Sequence, residues 1–79
     1  MLLDDLNVVI KVAEFRNITA AATHLNMRTA TASAAVKRVE QALGAELFVR
    51  TTRSLRLSSA GERFLPTCQE AMSMLANAK

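Results

Sequence analysis

A stretch with helical character from Asn17 to Leu43 runs almost directly into a short basic ribbon, Leu47-Phe48-Val49-Arg50-Thr51-Thr52-Arg53-Ser54-Leu55-Arg56-Leu57. No other feature narrows the fold as much, because two short helices followed by a charged hairpin describe few small architectures. Ahead of it, Leu6, Val9, Ile10 and Ala13 recur at helical spacing and predict a first helix over Leu3 to Phe15, with Asp4 and Asp5 near its positive end. Asn17 is a good N-cap for a second helix from Ile18 to about Leu25, and Ala20, Ala21 and Ala22 let a neighbour approach closely. After a tight connection at Asn26 and Met27, a third helix is expected from Thr29 to Leu43, ended by Gly44 as a left-handed C-cap. Its Ala32, Val36, Val39 and Leu43 form one core-facing stripe, leaving Thr29, Ser33 and Lys37, with Arg28 and Arg38 adjacent, on the polar face.

Past Gly44, Leu47 and Phe48 read as core anchors, while Leu55 and Leu57 alternate with Arg56 as in a half-buried strand. The hairpin tip falls near Thr51 to Ser54, encircled by Arg50, Arg53 and Arg56. Ser58 or Ser59 caps a final helix running toward Ala78, Ser59 forming a capping box with Glu62. That helix is about 30 Å long at 1.5 Å per residue, with a kink expected at Pro66. Phe64, Leu65, Cys68, Met72 and Leu75 line one side of it. The stripe fits a helix–helix dimer seam, or else folds back on the first helix. The fold class is therefore mainly α. A winged helix-turn-helix, with a three-helix core and a short two-stranded β wing, covers 1–58, and a long C-terminal linker and dimerisation helix covers 59–79.

Bulk composition limits what such a chain does. Its 79 residues make one small domain, and 51% hydrophobic content with 4% aromatic and no Trp or Tyr calls for a core of Leu, Val, Ala, Met and Ile. The formal charge of +3 is unevenly spread: residues 1–27 carry −1, residues 28–56 carry +4 and residues 57–79 are neutral. A positive middle third is the footprint of a phosphate-binding face, or simply a solvated basic face. One cysteine, Cys68, excludes an intrachain disulfide, and one histidine, His24, a helix 2 surface residue, leaves no metal cluster. Gly44 and Gly61 are too far apart for a glycine-rich phosphate loop. With no catalytic constellation, no membrane-length apolar run and no signal peptide, the expectation is a cytoplasmic protein without cofactor, metal or enzymatic activity.

Taken together in order, these residues resemble the N-terminal DNA-binding domain of the LysR-type bacterial transcriptional regulators. The matching elements are Leu6, Val9, Val12 and Glu14, then Thr19-x-Ala21-Ala22-x-x-Leu25, Ser33, Glu40-x-x-Leu43-Gly44, Leu47-Phe48-x-Arg50, Arg53, Leu57 and Ala60-Gly61. The resemblance implies a third helix that reads the major groove, a wing near Arg53 and a linker helix pairing two subunits. It also implies an effector-binding domain, which this chain lacks, and so no small-molecule site in this fragment. Several positions depart from the family. Arg28-Thr29-Ala30 stands where Ser-Gln-Pro or Ser-Gln-Ser is common, Ala34 where arginine is frequent, and Ile18 and Val9 where phenylalanine is frequent. Arg16 replaces a frequent glycine, so the first inter-helix loop either strains a left-handed position or turns differently.

The expected function is sequence-specific binding of double-stranded DNA by a homodimer on an inverted repeat, for transcriptional regulation. Thr29, Ala30, Thr31, Ser33 and Ala34 are expected at bases or sugars, Thr19, Arg28, Lys37, Arg38 and Arg50 at phosphates, and Arg53 in the minor groove. Arg50 is equally open to a structural ion pair. Two rivals are a protein-interaction module acting through the last helix and an architectural DNA binder without sequence preference. Salt sensitivity and preference for one duplex over another separate the three.

Overall fold

The computed structural model describes residues 3–51 and 54–78, in the order α1 (Leu3–Phe15), α2 (Ile18–His24), α3 (Thr29–Leu43), β1 (Phe48–Arg50), β2 (Leu55–Leu57) and α4 (Ser59–Asn77). The helices α1, α2 and α3 pack on one another, the antiparallel β1–β2 hairpin closes beside them, and α4 returns across α1. This is the winged helix-turn-helix with its appended helix that the sequence predicts.

Local chemistry accounts for most of the boundaries. Asn17 is extended at φ −163° and accepts a hydrogen bond from the Ala20 amide at 2.9 Å, which satisfies one of the free donors at the start of α2. The α2–α3 turn places Asn26 at φ 61°, a left-handed position that asparagine tolerates. It is closed by Met27 N–H donating to the Ala22 carbonyl at 2.9 Å. Arg28 stands at the N-cap of α3 with no side-chain cap. Gly44, at φ 70°, ends that helix. Arg16 keeps the left-handed conformation at φ 52° despite its side chain, where an ordinary residue costs about 1–2 kcal/mol. Of the two alternatives for that loop, the chain adopts the strained one.

A single core gathers Val8, Val9 and Val12 of α1, Ala21 and Ala22 of α2, Ala32, Ala35, Val36 and Val39 of α3, and Leu47, Phe48 and Leu55 of the hairpin. Ala21 and Ala22 of α2 lie at no more than 1% exposure, while Ala20 is half-buried, so α2 and α3 approach closely. Two expectations need correction. Leu43, placed on the buried stripe, is 38% exposed, because the last turn of α3 overhangs the core just before the chain reverses at Gly44. The cap of α4 is Ser58, not Ser59: Ser58 Oγ accepts from the Gly61 amide at 3.0 Å, and the third helical position is then glycine, which has no side chain to return the bond. No capping box with Glu62 forms. Helix α4 runs without interruption through Pro66.

The hairpin register pairs Phe48 with Leu57, Val49 with Arg56 and Arg50 with Leu55. Two further bonds tie its base to the helices. The Leu47 amide donates to Glu40 Oε2 at 2.7 Å, and the Ser58 amide donates to the Leu47 carbonyl at 2.9 Å. The wing therefore has a fixed direction relative to α3.

Candidate nucleic-acid interface

With about 3.6 residues per turn, the face of α3 opposite Ala32, Ala35, Val36 and Val39 is formed by Ala30, Ala34, Lys37 and Gln41, all exposed. Thr29, Thr31 and Arg28 are also exposed, while Ser33 is half-buried. The outward ridge is thus smooth over its first half and polar over its second, a shape that lets the helix approach a groove closely. Sequence reasoning centred the face on Thr29, Ser33 and Lys37 and overlooked Gln41, although Gln41 lies four residues beyond Lys37 on the same line.

Ser33 leans instead toward the wing. Together with Lys37 of α3 and Arg50 of β1 it borders a cleft of about 400 Å³ whose floor includes Val36 and Phe48. Residues seventeen positions apart in sequence, Ser33 and Arg50, meet there because Glu40 fixes the Leu47 backbone and so sets where β1 begins. Arg50 is exposed, and among the described residues no carboxylate forms an ion pair with it or with Lys37. Both cations face solvent, and Glu40 and Glu46 border the same cleft without forming an ion pair with either. Thr19 is exposed on the first turn of α2. Arg53 lies outside the described residues.

Arg38 has a different setting. Its Nε donates to Asp5 Oδ2 and its Nη2 to Asp5 Oδ1, each at 2.9 Å, a two-pronged ion pair across α1 and α3. The carboxylate is 5% exposed and the guanidinium side chain 52%. The hydrogen bonds to Asp5 hold Arg38 above the ordinary guanidinium pKa, with its partial desolvation opposing and the Coulomb attraction of Asp5 adding. Of the five N–H donors on a guanidinium, three remain for other partners. Asp5 was expected only to favour the helix dipole. Its role across the helices has no local signal, since the two residues are 33 positions apart.

The five residues expected on the seam of the last helix separate. Cys68 is 1% exposed within the single chain and unavailable to a partner, and burial pushes its thiol above the usual range. Phe64 packs against the core, and Leu65 and Met72 are half-buried. Leu75 is 43% exposed and Met74, which sequence reasoning left out, 71%. The first half of the stripe thus folds back on the domain, and the second half faces outward.

A family model described as bacterial regulatory helix-turn-helix protein, lysR family, matches residues 3–62. Among curated proteins, the HTH-type transcriptional regulator PgrR of Escherichia coli is 44% identical over 61 residues, covering 77% of this chain and 20% of that protein. The HTH-type transcriptional activator IlvY of Haemophilus influenzae is 38% identical over 61 residues, with 77% of this chain and 21% of that protein covered. The chain thus spans about a fifth of the length of these relatives. Among solved structures, the CbnR DNA-binding domain in complex with DNA superposes with a TM-score of 0.94 at 28% identity, covering 99% of this chain and 90% of that one.

Proposed function

The chain belongs to the lysR family of bacterial regulatory helix-turn-helix proteins, and from that membership we propose that it binds operator DNA in a sequence-specific manner to regulate transcription. In this reading α3 enters the major groove, Thr29, Ala30, Thr31 and Ala34 lie against bases or sugars, and Ser33, Lys37 and Arg50 grip the flanking backbone. Thr19, Arg28 and the outward donors of Arg38 add phosphate contacts, and Arg53 reaches the minor groove. The observation that carries the reading is the cleft joining Ser33 and Lys37 of α3 to Arg50 of the wing. It sets two unpaired cations beside a helix whose outward face is small enough to enter a groove. A homodimer through the outward half of α4, with Leu75 and Met74 at its centre and Met72 at its edge, would present two copies of α3 to an inverted repeat.

Selection from a randomised duplex pool, followed by titration of the enriched and a scrambled duplex at two salt concentrations, tests the reading. We expect an enriched inverted repeat, and for Lys37→Ala and Arg50→Ala each a salt slope lower by about one. Salt-sensitive binding with no enriched motif would leave an architectural binder. Salt-insensitive association, or none, would shift the function to the exposed end of α4 and a protein partner.

A further inference from the structure

Among the described residues Arg16 is the one cation held in a strained backbone conformation, at φ 52°. Strain of this kind persists where the surroundings enforce it, and it gathers at functional positions. Two structural explanations for the residue are weak. It borders a cleft of about 430 Å³ that also contains Glu14 and Glu62, yet it forms an ion pair with neither. Its place just past the C-terminus of α1 favours any positive charge, but that screened, exposed effect does not require a long side chain.

On its other side Arg16 borders a hollow of about 310 Å³ between the α1–α2 corner and the wing, shared with Arg50, Thr51 and Ser54. Arg50 also borders the cleft that contains Ser33 and Lys37. Lys37, Arg50 and Arg16 therefore follow one another along two adjoining depressions, from the third helix past the base of the wing to the first inter-helix turn. All three are exposed, and none is paired with a carboxylate of the described residues. Two guanidinium groups bordering one hollow suit a phosphodiester group, whose oxygens accept forked hydrogen bonds from both.

We infer that Arg16 is a DNA-binding residue of this chain, which together with Arg50 holds one backbone phosphate in the hollow beside the α1–α2 corner. The inference rests on the DNA-binding reading above and extends the interface beyond α3 and the wing. In place of the glycine frequent in the family, the chain tolerates a left-handed arginine and gains a contact.

The test is titration of the chain with a mixed-sequence duplex of about 30 base pairs between roughly 50 and 200 mM salt, the range over which counterion release is resolved. Arg16→Gly removes the charge and relieves the left-handed penalty, so weaker binding with an unchanged far-UV spectrum and a melting temperature no lower than the parent's is not misfolding. We expect its salt slope to fall by about one and its affinity to drop about eightfold near 0.1 M salt, the release of about 0.9 ion per contact. Arg16→Lys retains the slope, and Arg63→Ala, a charge removed from the exposed side of α4, leaves it unchanged. In an Arg50→Ala background Arg16→Gly costs less than it does alone, because the shared phosphate is already lost. A parental slope in Arg16→Gly, or an equal fall in Arg63→Ala, overturns the inference while the DNA-binding reading stands. Additive losses of Arg16 and Arg50 overturn the shared phosphate. A parent chain that binds no duplex overturns both readings.

Discussion

Replacing Gly61 by alanine tests whether α4 is locked to the base of the wing by direct backbone packing. Gly61 is buried, and a β-carbon on it would stand 2.2 Å from the Leu47 carbonyl oxygen and 2.9 Å from Leu57 Cδ2. Ordinary contact begins near 3.4 Å, so α4 or Leu47 must move by about 1 Å. Leu47 is poorly placed to yield. Its side chain is 1% exposed, its amide donates to Glu40 Oε2, and its carbonyl accepts the Ser58 amide at the cap of α4. Overpacking costs about 1–3 kcal/mol, and losing the Ser58–Leu47 bond adds about 1. Alanine's better helix propensity returns up to about 1 kcal/mol, leaving a net loss of about 1–4, centred near 2.5. For a domain of this size each kcal/mol is about 4–8 °C, so the melting temperature should fall by roughly 10–20 °C in far-UV circular dichroism. Gly44→Ala supplies the comparison, since it has a left-handed φ of 70° but nothing within 4 Å of a β-carbon. It should cost only about 1–2 kcal/mol of backbone strain. A Gly61→Ala chain that melts within about 3 °C of the parent, or above Gly44→Ala, would refute the packing argument.

Two further outcomes follow from the geometry. Ser58→Ala should lower stability by about 1–2 kcal/mol in urea titration, since Ser58 Oγ both caps α4 and donates to the Glu46 carbonyl, whereas Ser59→Ala should be nearly neutral; equal losses would restore Ser59 as the cap. Cys68 has a folded-state pKa raised by burial, so the stability linked to its neutral thiol is intact below the unfolded value and is lost as pH climbs through the folded one. Alkylation at mildly alkaline pH should then proceed at the rate of chain opening, and rapid labelling of the folded chain would contradict the buried assignment.

The helices and the site were legible to different depths. The third helix, its alanine-rich inward side and its end at Gly44 follow from spacing and from glycine's freedom at positive φ, both of which act within a few residues. The cap at Asn17 is local in the same sense, while at Arg16 the sequence left a left-handed residue and a different turn both open. Phosphate-facing candidates were legible as a class, because basic residues cluster between Arg28 and Arg56. The errors arose where a local pattern has more than one solution. Ser58 and Ser59 both suit a cap, and only the position of the Gly61 amide selects between them. The apolar residues of α4 have one helical periodicity but two destinations, Cys68 inward and Leu75 outward.

By itself, then, the sequence determined the order and nature of the elements, the left-handed turn at Gly44, and the concentration of positive charge in the middle of the chain. These rest on dihedral preferences, helical period and composition, all properties of neighbouring residues. The tertiary structure alone decided that Asp5 holds Arg38, that Glu40 directs the Leu47 backbone, and that Lys37, Arg50 and Arg16 line adjoining depressions. Those contacts join residues on different elements, and their existence depends on how α1, α3 and the wing are set against one shared core. Hydrophobic burial fixes that arrangement without direction of its own, so the polar partners it brings together cannot be read from the spacing along the chain.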